Sequence, residues 1–549
     1  MQCQCTLVPG PELFSTPRST KKVSMPQPLP YVIDFDNLTM NTTQANDKLI
    51  PPVMEEVKNI ELARKGRARK IYGYEALSNN VSTGPDVGGT RINAIAPLTP
   101  GELTTNQIPH AVCIRDDQFY YLDLYAAAWA ASDVVTPGDK YPWNLAWGIN
   151  ADGLAVVYFA NGDVFASRNI GGVTKYGSGA DWTVPDAVEF FLDKLFVANV
   201  TVSSVTHNDR LYWSETGDDN GWDTAAGSGF LDVRDPGGGR SSFSVGITGM
   251  RVYKNRLYIA QQSSLYVLTG TTSETFGVER ITDINIINGA TMYVVGDYLF
   301  FVDKSGIWKF NGIQTINIMA PSMYDKWNDL NRHTDIGAAT ATWDELEGIY
   351  KVYFPVVKEE WSYYIYTGQW SIRTFNSTDN VRVISPPLNI KSGVAKNYGL
   401  GSLTNGKVWN VTDQAVTDDG GTITGSVTTG QIRLAEMNGG RPGDHARLLY
   451  IDIEAVQQDE AGVIKVDITI DGTAQATASL TVADAGGSAD TFPTHYDGKP
   501  TTRIDLGSIS KAGRFFQFKF SDDDANSRMD LRRVTIWYER LENAGSRPA

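Results

Sequence analysis

One local pattern recurs along the middle of this chain and restricts its fold more than any other feature: a turn residue, a spacer, an aliphatic residue, then an aromatic one. It appears as Asp193-Lys194-Leu195-Phe196, Asp209-Arg210-Leu211-Tyr212, Asn255-Arg256-Leu257-Tyr258 and Asp297-Tyr298-Leu299-Phe300. Looser forms are Asp117-Gln118-Phe119-Tyr120, Gly348-Ile349-Tyr350 and Gly406-Lys407-Val408-Trp409. Asp, Asn or Gly closes a tight hairpin, and the adjacent aliphatic and aromatic side chains take opposite faces of the next strand. Each instance is read as starting an inner strand. Eight residues after Leu257 and Leu299, a second strand is marked by Leu265 and Ile307. The anchors Leu211, Leu257, Leu299 and Ile349 lie 46, 42 and 50 residues apart, the period of a four-stranded propeller blade. The expectation is an all-β chain with a degenerate β-propeller over residues 51–425, of roughly six to eight blades with seven as the working number. The Ala-rich stretch from Tyr125 to Ala131 is the main place where the periodicity is helical.

The two flanks have other textures. Residues 1–50 carry Pro9, Pro11, Pro17, Pro26, Pro28 and Pro30 among Ser, Thr and Asn, without usable periodicity. They read as an extended N-terminal arm, either a disordered tail or a segment ordered along a neighbouring subunit. From residue 426 longer alternating strands appear, among them Arg447 to Ile453, Val463 to Ile470, Arg514 to Phe520 and Arg533 to Tyr538. Alternation buries one face and wets the other, so residues 426–549 are expected to form an antiparallel β-sandwich.

The formal net charge of −15 argues against broad nucleic-acid binding, which draws its affinity from Lys and Arg replacing phosphate counterions. No apolar run approaches the roughly 18 residues that cross a bilayer. Met1 to Gly10 lacks the basic start and apolar stretch of a signal peptide, so a chain without an export address and without a membrane partner is expected. Cys3, Cys5 and Cys113 make no disulfide framework, which suits a protein assembled in a reducing cytosol.

No catalytic, metal or cofactor motif is found. The histidines at 110, 207, 333, 445 and 495 are too dispersed for local zinc-ligand spacing. Pro236 and the Gly237-Gly238-Gly239 run lack a following helix that could present amides to a phosphate. Asp522, Asp523, Asp524 and Asn526 have the look of a calcium loop, but the required Gly is missing and Arg533 stands where a bidentate Glu belongs, so a solvated hairpin tip is expected. Asp218, Asp219 and Asp223 around Trp222 could pair carboxylates beside a sugar-stacking ring. Their Asp and Gly content equally suits a structural turn, which is the reading taken. Arg64, Lys65, Arg67, Arg69 and Lys70 place five cations in seven residues at a hairpin. Such a run is either solvated or a contact with DNA or with an acidic face of a neighbouring subunit.

Three stretches together resemble the tail nozzle proteins of short-tailed bacteriophages, also called packaged-DNA stabilisation or tail-hub proteins. They are Asn59-Ile60-Glu61-Leu62 with Lys65 to Lys70 and Gly73-Tyr74; Leu211 to Asp218 with Trp222, Asn255 to Tyr258 and Ser264 to Tyr266; and Gly513 to Phe520 leading to Trp537-Tyr538-Glu539. The resemblance implies a virion structural protein without catalytic residues, assembled in the host cytoplasm into a ring, expected to be a hexamer, at the distal end of the tail. It implies contacts with the tail adaptor and with tail fibre or spike proteins, and a channel that retains double-stranded DNA and conducts it on ejection without specific binding. Six copies would carry a combined charge of −90, and an acidic conduit lets DNA slide. The five cations are then expected to dock on an adjacent subunit or tail component. The alternative from the aromatic content and the Asp218 to Asp223 turn is an extracellular carbohydrate-binding or carbohydrate-active β-propeller.

Overall fold

The computed structural model describes residues 28–541 apart from 36–38, 41–52, 64–66, 73, 77–90, 99–109, 116–117, 124–127, 135–141, 170–171, 176–181, 203–204, 223–226, 235–245, 320–322, 331, 345–347, 376–379, 389–397, 405, 412–416, 438–439, 456–461, 483–500, 507–511 and 525–528. The chain is a β-propeller, nearly all strand. Six antiparallel meanders follow one another with innermost strands Ile92–Pro97, Asn144–Ile149, Ala187–Phe191, Ile247–Tyr253, Tyr293–Val295 and Thr340–Asp344. A further sheet, Val381–Pro387, Tyr398–Ser402 and Val408–Val411, packs between the sixth meander and the first and closes the ring. Its fourth strand is Tyr74–Ala76, paired antiparallel with Val408–Val411 from a point in the chain that precedes every blade.

The recurrent pattern works one strand further out than the sequence suggested. The turns Leu192-Asp193 and Lys254-Asn255 have φ of 50° and 54°, and 47° and 56°, while Gly296 before Asp297 has φ 57°. These left-handed positions link the innermost strand to the second, because only such turns follow the right-handed twist of the flanking strands. Leu195, Leu257 and Leu299 thus open second strands and are fully buried. Leu211 lies in the third strand of its blade, Val205–Trp213, so it is out of step with the other anchors. The Ala-rich stretch is corrected too: Ala128–Val134 is a strand paired with Gln118–Asp123, since cross-strand pairing outweighs the modest helix preference of alanine. Tyr125 to Ala127 lie outside the described residues.

Residues 426–549 do not stand alone. Val53–Lys58 pairs with Gly425–Thr429, and Arg67–Lys70 pairs with Asp530–Leu541. The segment placed at the start of the propeller therefore belongs to the C-terminal sheets. Within the residues read as an arm, Leu29–Asp34 pairs with Asp530–Leu541 of its own chain. The alternation that buries Tyr31, Ile33 and Phe35 explains this, and these residues share one core with Ile451, Phe518 and Ile536. Residues 1–27 lie outside the described residues.

Asn59 is the knot of this arrangement. Its φ of 51° turns the chain between Val53–Lys58 and Ile60–Ala63. Its N–H donates to Ile372 O at 2.9 Å, and its carbonyl accepts from Ile71 N at 3.0 Å. Its side chain accepts from Thr374 N at 2.8 Å and donates to Thr424 O at 2.9 Å. One buried amide thus ties the sixth blade, the N-terminal segment and the entry to the C-terminal sheets. Replacing it with Ala leaves two backbone groups without their partners and puts in the left-handed region a residue that tolerates it less well than Asn. Asn59→Ala is expected to lower the unfolding free energy by about 2–4 kcal/mol. Urea unfolding checks this, and a change within about 0.5 kcal/mol of the parent would remove Asn59 from its role.

Candidate functional site

The five cations do not form one surface. Lys70 is fully buried: its Nζ stands 3.3 Å from Asp522 Oδ2 and donates to Asp524 O at 2.7 Å. Burial raises the Asp522 carboxyl above its ordinary range, with Lys70 pulling the other way. Arg69 donates to Glu61 Oε2 at 2.8 Å and lies 4.7 Å from the Tyr72 ring centroid. Arg67 is in the strand with them, and Arg64 and Lys65 lie outside the described residues. Alternation along a strand explains the division, because successive side chains take opposite faces. Lys70, and with it the expectation of a five-cation surface patch, is withdrawn into the interior.

The acidic triple of the C-terminal unit is met by lysines. Asp523 Oδ2 accepts from Lys465 at 2.6 Å, complementing the Lys70–Asp522 contact. Asn526 lies outside the described residues. Among the described residues no group of three or more potential metal ligands is gathered.

The Asp218 to Trp222 turn is built into its own blade and against the preceding one. Glu215 N–H donates to Gly221 O at 2.8 Å, and Gly217 N–H donates to Asp193 O at 2.7 Å. Asp219 is buried; its Oδ2 accepts from Tyr158 OH at 3.0 Å and its Oδ1 from Ala151 N at 3.4 Å, both on the second blade. Asp218 Oδ1 accepts from Asn220 N at 2.9 Å. Trp222 packs, half-buried, on a cluster with Val156, Tyr158 and Leu195. Asp223 lies outside the described residues. Underneath, Lys194 is buried and donates to Ser214 O at 3.0 Å and Gly227 O at 3.2 Å, and burial lowers the pKa of its ammonium.

A further cluster lies where the innermost strands meet. Arg251 of the fourth blade donates to Met292 O at 2.9 Å and to Leu145 O of the second blade at 3.3 Å, and it lies 4.8 Å from the Tyr293 ring centroid. Its partner Glu189, on the third blade, is 3.3 Å away. That approach provides attraction between charges but not a hydrogen bond to Glu189 Oε2. Burial therefore dominates and raises the Glu189 carboxyl to about 7, with Arg251 opposing. Beside it the backbones touch: a β-carbon on Gly249 would come within 2.3 Å of Gly289 Cα. A cavity of about 20 Å³ lined by Ala94, Leu145, Tyr293 and Ile384 remains, room for a water molecule and not for a polymer. Sequence reading missed this pair. Its signal was a lone charge inside an apolar run, in Ala187-Val188-Glu189-Phe190-Phe191 and in Met250-Arg251-Val252.

No family model matches the chain, and no curated protein matches it. Among solved structures it is similar to the β-propeller domain of Myceliophteria thermophila Cps50 (Swd1), at 11% identity and a TM-score of 0.39, over 63% of this chain and 100% of that one. It is similar to virginiamycin B lyase from Staphylococcus aureus, at 9% identity and a TM-score of 0.37, over 59% of this chain and 95% of that one. It is also similar to the Neurospora crassa Pan2 WD40 domain, at 8% identity and a TM-score of 0.36, over 62% and 97%. These likenesses concern the fold alone.

Two outcomes follow from the geometry. Folded Glu189 holds its proton to about pH 7, whereas the unfolded chain releases it near 4.5. Within that window the folded state binds more protons, so stability falls as pH rises. Glu189→Gln is expected to flatten this segment of the curve of unfolding midpoint against pH, and an unchanged slope contradicts the assignment. Tyr158→Phe, which takes the hydroxyl from buried Asp219, is expected to cost about 1–3 kcal/mol in the same measurement.

Proposed function

We propose that the chain is a bacteriophage tail nozzle: a virion structural protein that forms a ring at the distal end of the tail, retains packaged DNA and conducts it on ejection. Its role is structural, not enzymatic. The observation that carries this reading is where the three resembling stretches lie. Ile60 to Leu62 and Arg67 to Lys70 of the first and Trp537 to Glu539 of the third are separated by most of the chain, yet they lie in one sheet, and Phe516 to Phe520 of the third lies in the sheet that Val53–Lys58 joins just before Asn59. The second lies in the third and fourth blades. Residues that resemble one family thus lie at the joints on which this architecture turns, not only in interchangeable turns.

Charge supports the same reading. A ring of copies at −15 each repels phosphate, as a conduit for DNA must if the polymer is to move. Because Arg251 and the Gly249–Gly289 contact occupy the middle of the propeller, the conduit in this proposal runs between copies, not along one propeller's axis.

Electron microscopy of the purified chain and of particles made with it tests the proposal: rings and incorporation into tails are expected. A chain that stays out of particles, or that binds glycans on an array, overturns it in favour of the carbohydrate alternative or neither. Reversing Arg64, Lys65 and Arg67 to Glu, and leaving the internally engaged Arg69 and Lys70 in place, is expected to weaken incorporation in a salt-dependent way. The stability of the isolated chain is expected to change by about 1 kcal/mol or less. Normal incorporation combined with loss of DNA retention would instead assign these cations to DNA.

A further inference from the structure

Lys70 and Asp522 meet where the two ends of the chain are joined, and water is excluded from both: their side chains are 0% and 2% exposed. Local structure holds each in place. Lys70 N–H donates to Met529 O at 2.8 Å, and a β-carbon on Gly425 would come within 3.0 Å of Lys70 Cγ, so the lysine stem packs directly over that glycine. Asp522 ends the strand Phe516–Asp522, opposite Gly425. Its Oδ1 accepts from Asp524 N at 2.7 Å and its Oδ2 from Met529 N at 2.6 Å. Lys70 Nζ stands 3.3 Å from that Oδ2 and gives one hydrogen to Asp524 O at 2.7 Å. A buried amine thus faces a buried carboxyl, each of whose oxygens is held by a backbone N–H. Such a pairing places a nucleophile beside an electrophile, with donors ready for charge that develops on oxygen.

We propose that Lys70 and Asp522 condense into an isopeptide bond, which joins the N-terminal hairpin covalently to the strand Phe516–Asp522 of the other C-terminal sheet. The reaction needs no outside reagent. A proton passes from the ammonium to the carboxylate, leaving an amine and a carboxylic acid. The nitrogen then bonds to Asp522 Cγ, and the electron pair of the C=O moves to an oxygen held by Asp524 N–H or Met529 N–H. A second proton moves from nitrogen to the hydroxyl, the C–OH bond breaks, and one water leaves. One ammonium and one carboxylate become one amide and one water, with nothing oxidised or reduced. Burial favours the change, because an amide does not carry the desolvation cost of two charges. Asp523, the next residue, is exposed, so the released water has solvent close by. In agreement, burial outweighs the pull of Lys70 and raises the Asp522 carboxyl. The Lys351–Glu360 pair shows the opposite case. There the lysine is 17% exposed, and Lys351 and Arg373 hold the carboxyl below its ordinary range, as an anion that resists a nucleophile.

The test uses the full chain, purified folded and then denatured for mass measurement. The intact mass is expected to fall below the sequence mass by one water, and peptide mapping to give a branched peptide that joins Lys70 to Asp522 and resists trypsin at Lys70. Lys70→Arg, which keeps the charge and removes the nucleophile, should restore the full mass. A protease site inserted in the Asn311 to Gln314 turn, where Ile313 is 88% exposed, gives an independent readout. After cutting, the two pieces of the parent should run as one species on a denaturing gel, and those of Lys70→Arg should separate. If Lys70→Arg does not fold, the parent's mass and peptide map decide by themselves. A full mass that persists through prolonged incubation of the folded parent, or parent pieces that separate, overturns the inference and leaves an ion pair. A lost water mapped anywhere other than between Lys70 and Asp522 overturns it equally. These outcomes are independent of the tail reading, which ring formation and incorporation into particles decide.

Discussion

Everything in this architecture depends on a stitch made by residues 53–76. Within that span the chain lies beside the last strand of the sixth blade, turns at Asn59, adds a hairpin to the C-terminal sheet and supplies Tyr74–Ala76 to the closing sheet of the ring. A propeller closed this way has no free seam, because the last sheet is held by hydrogen bonds to a strand from the other end of the fold. The cost is entropic, since pairs such as Asn59 with Thr424 close a loop of more than three hundred residues. Contacts that distant form late and slowly, so the ring is expected to close after its blades.

Charges inside the protein mark the same joints. Lys70 with Asp522 fixes the N-terminal hairpin, and Arg373 with Asp418, 2.7 Å apart, fixes the closing sheet against the sixth blade. Nearby, Glu360 accepts from Lys351 at 2.9 Å and from Tyr398 at 2.5 Å. Burial alone would raise that carboxyl, but Lys351 and Arg373 hold it below its ordinary range. Glu189 faces a single cation at poorer geometry, and burial prevails. The contrast shows what fixes a buried carboxylate's state: the number and alignment of its partners, not burial by itself.

Much of the fold was legible in the sequence. The turn, aliphatic and aromatic pattern with its blade-length spacing is enough for a β-propeller, because two-residue turns of this hand demand Asp, Asn or Gly and strands demand alternation. The alternating strands after residue 426 were equally plain. The register was not: Leu211 and Leu257 carry the same local signature, yet occupy third and second strands, and nothing in four residues records which neighbour a strand pairs with. For the same reason the Ala-rich stretch misled, since its strand exists through pairing with Gln118–Asp123.

The sequence by itself determined the recurrent blade strands and their tight turns, the alternating strands after residue 426 and that the chain is acidic, because these follow from side-chain chemistry within a few residues. Tertiary structure alone decided that Lys70 is buried while its neighbour Arg69 is only half-buried, that Leu29–Asp34 pairs with its own C-terminal strand, that Asn59 is a knot, and that Glu189 meets Arg251 near the axis. Each of these depends on partners tens to hundreds of residues away, and short-range patterns carry no information about distance in space.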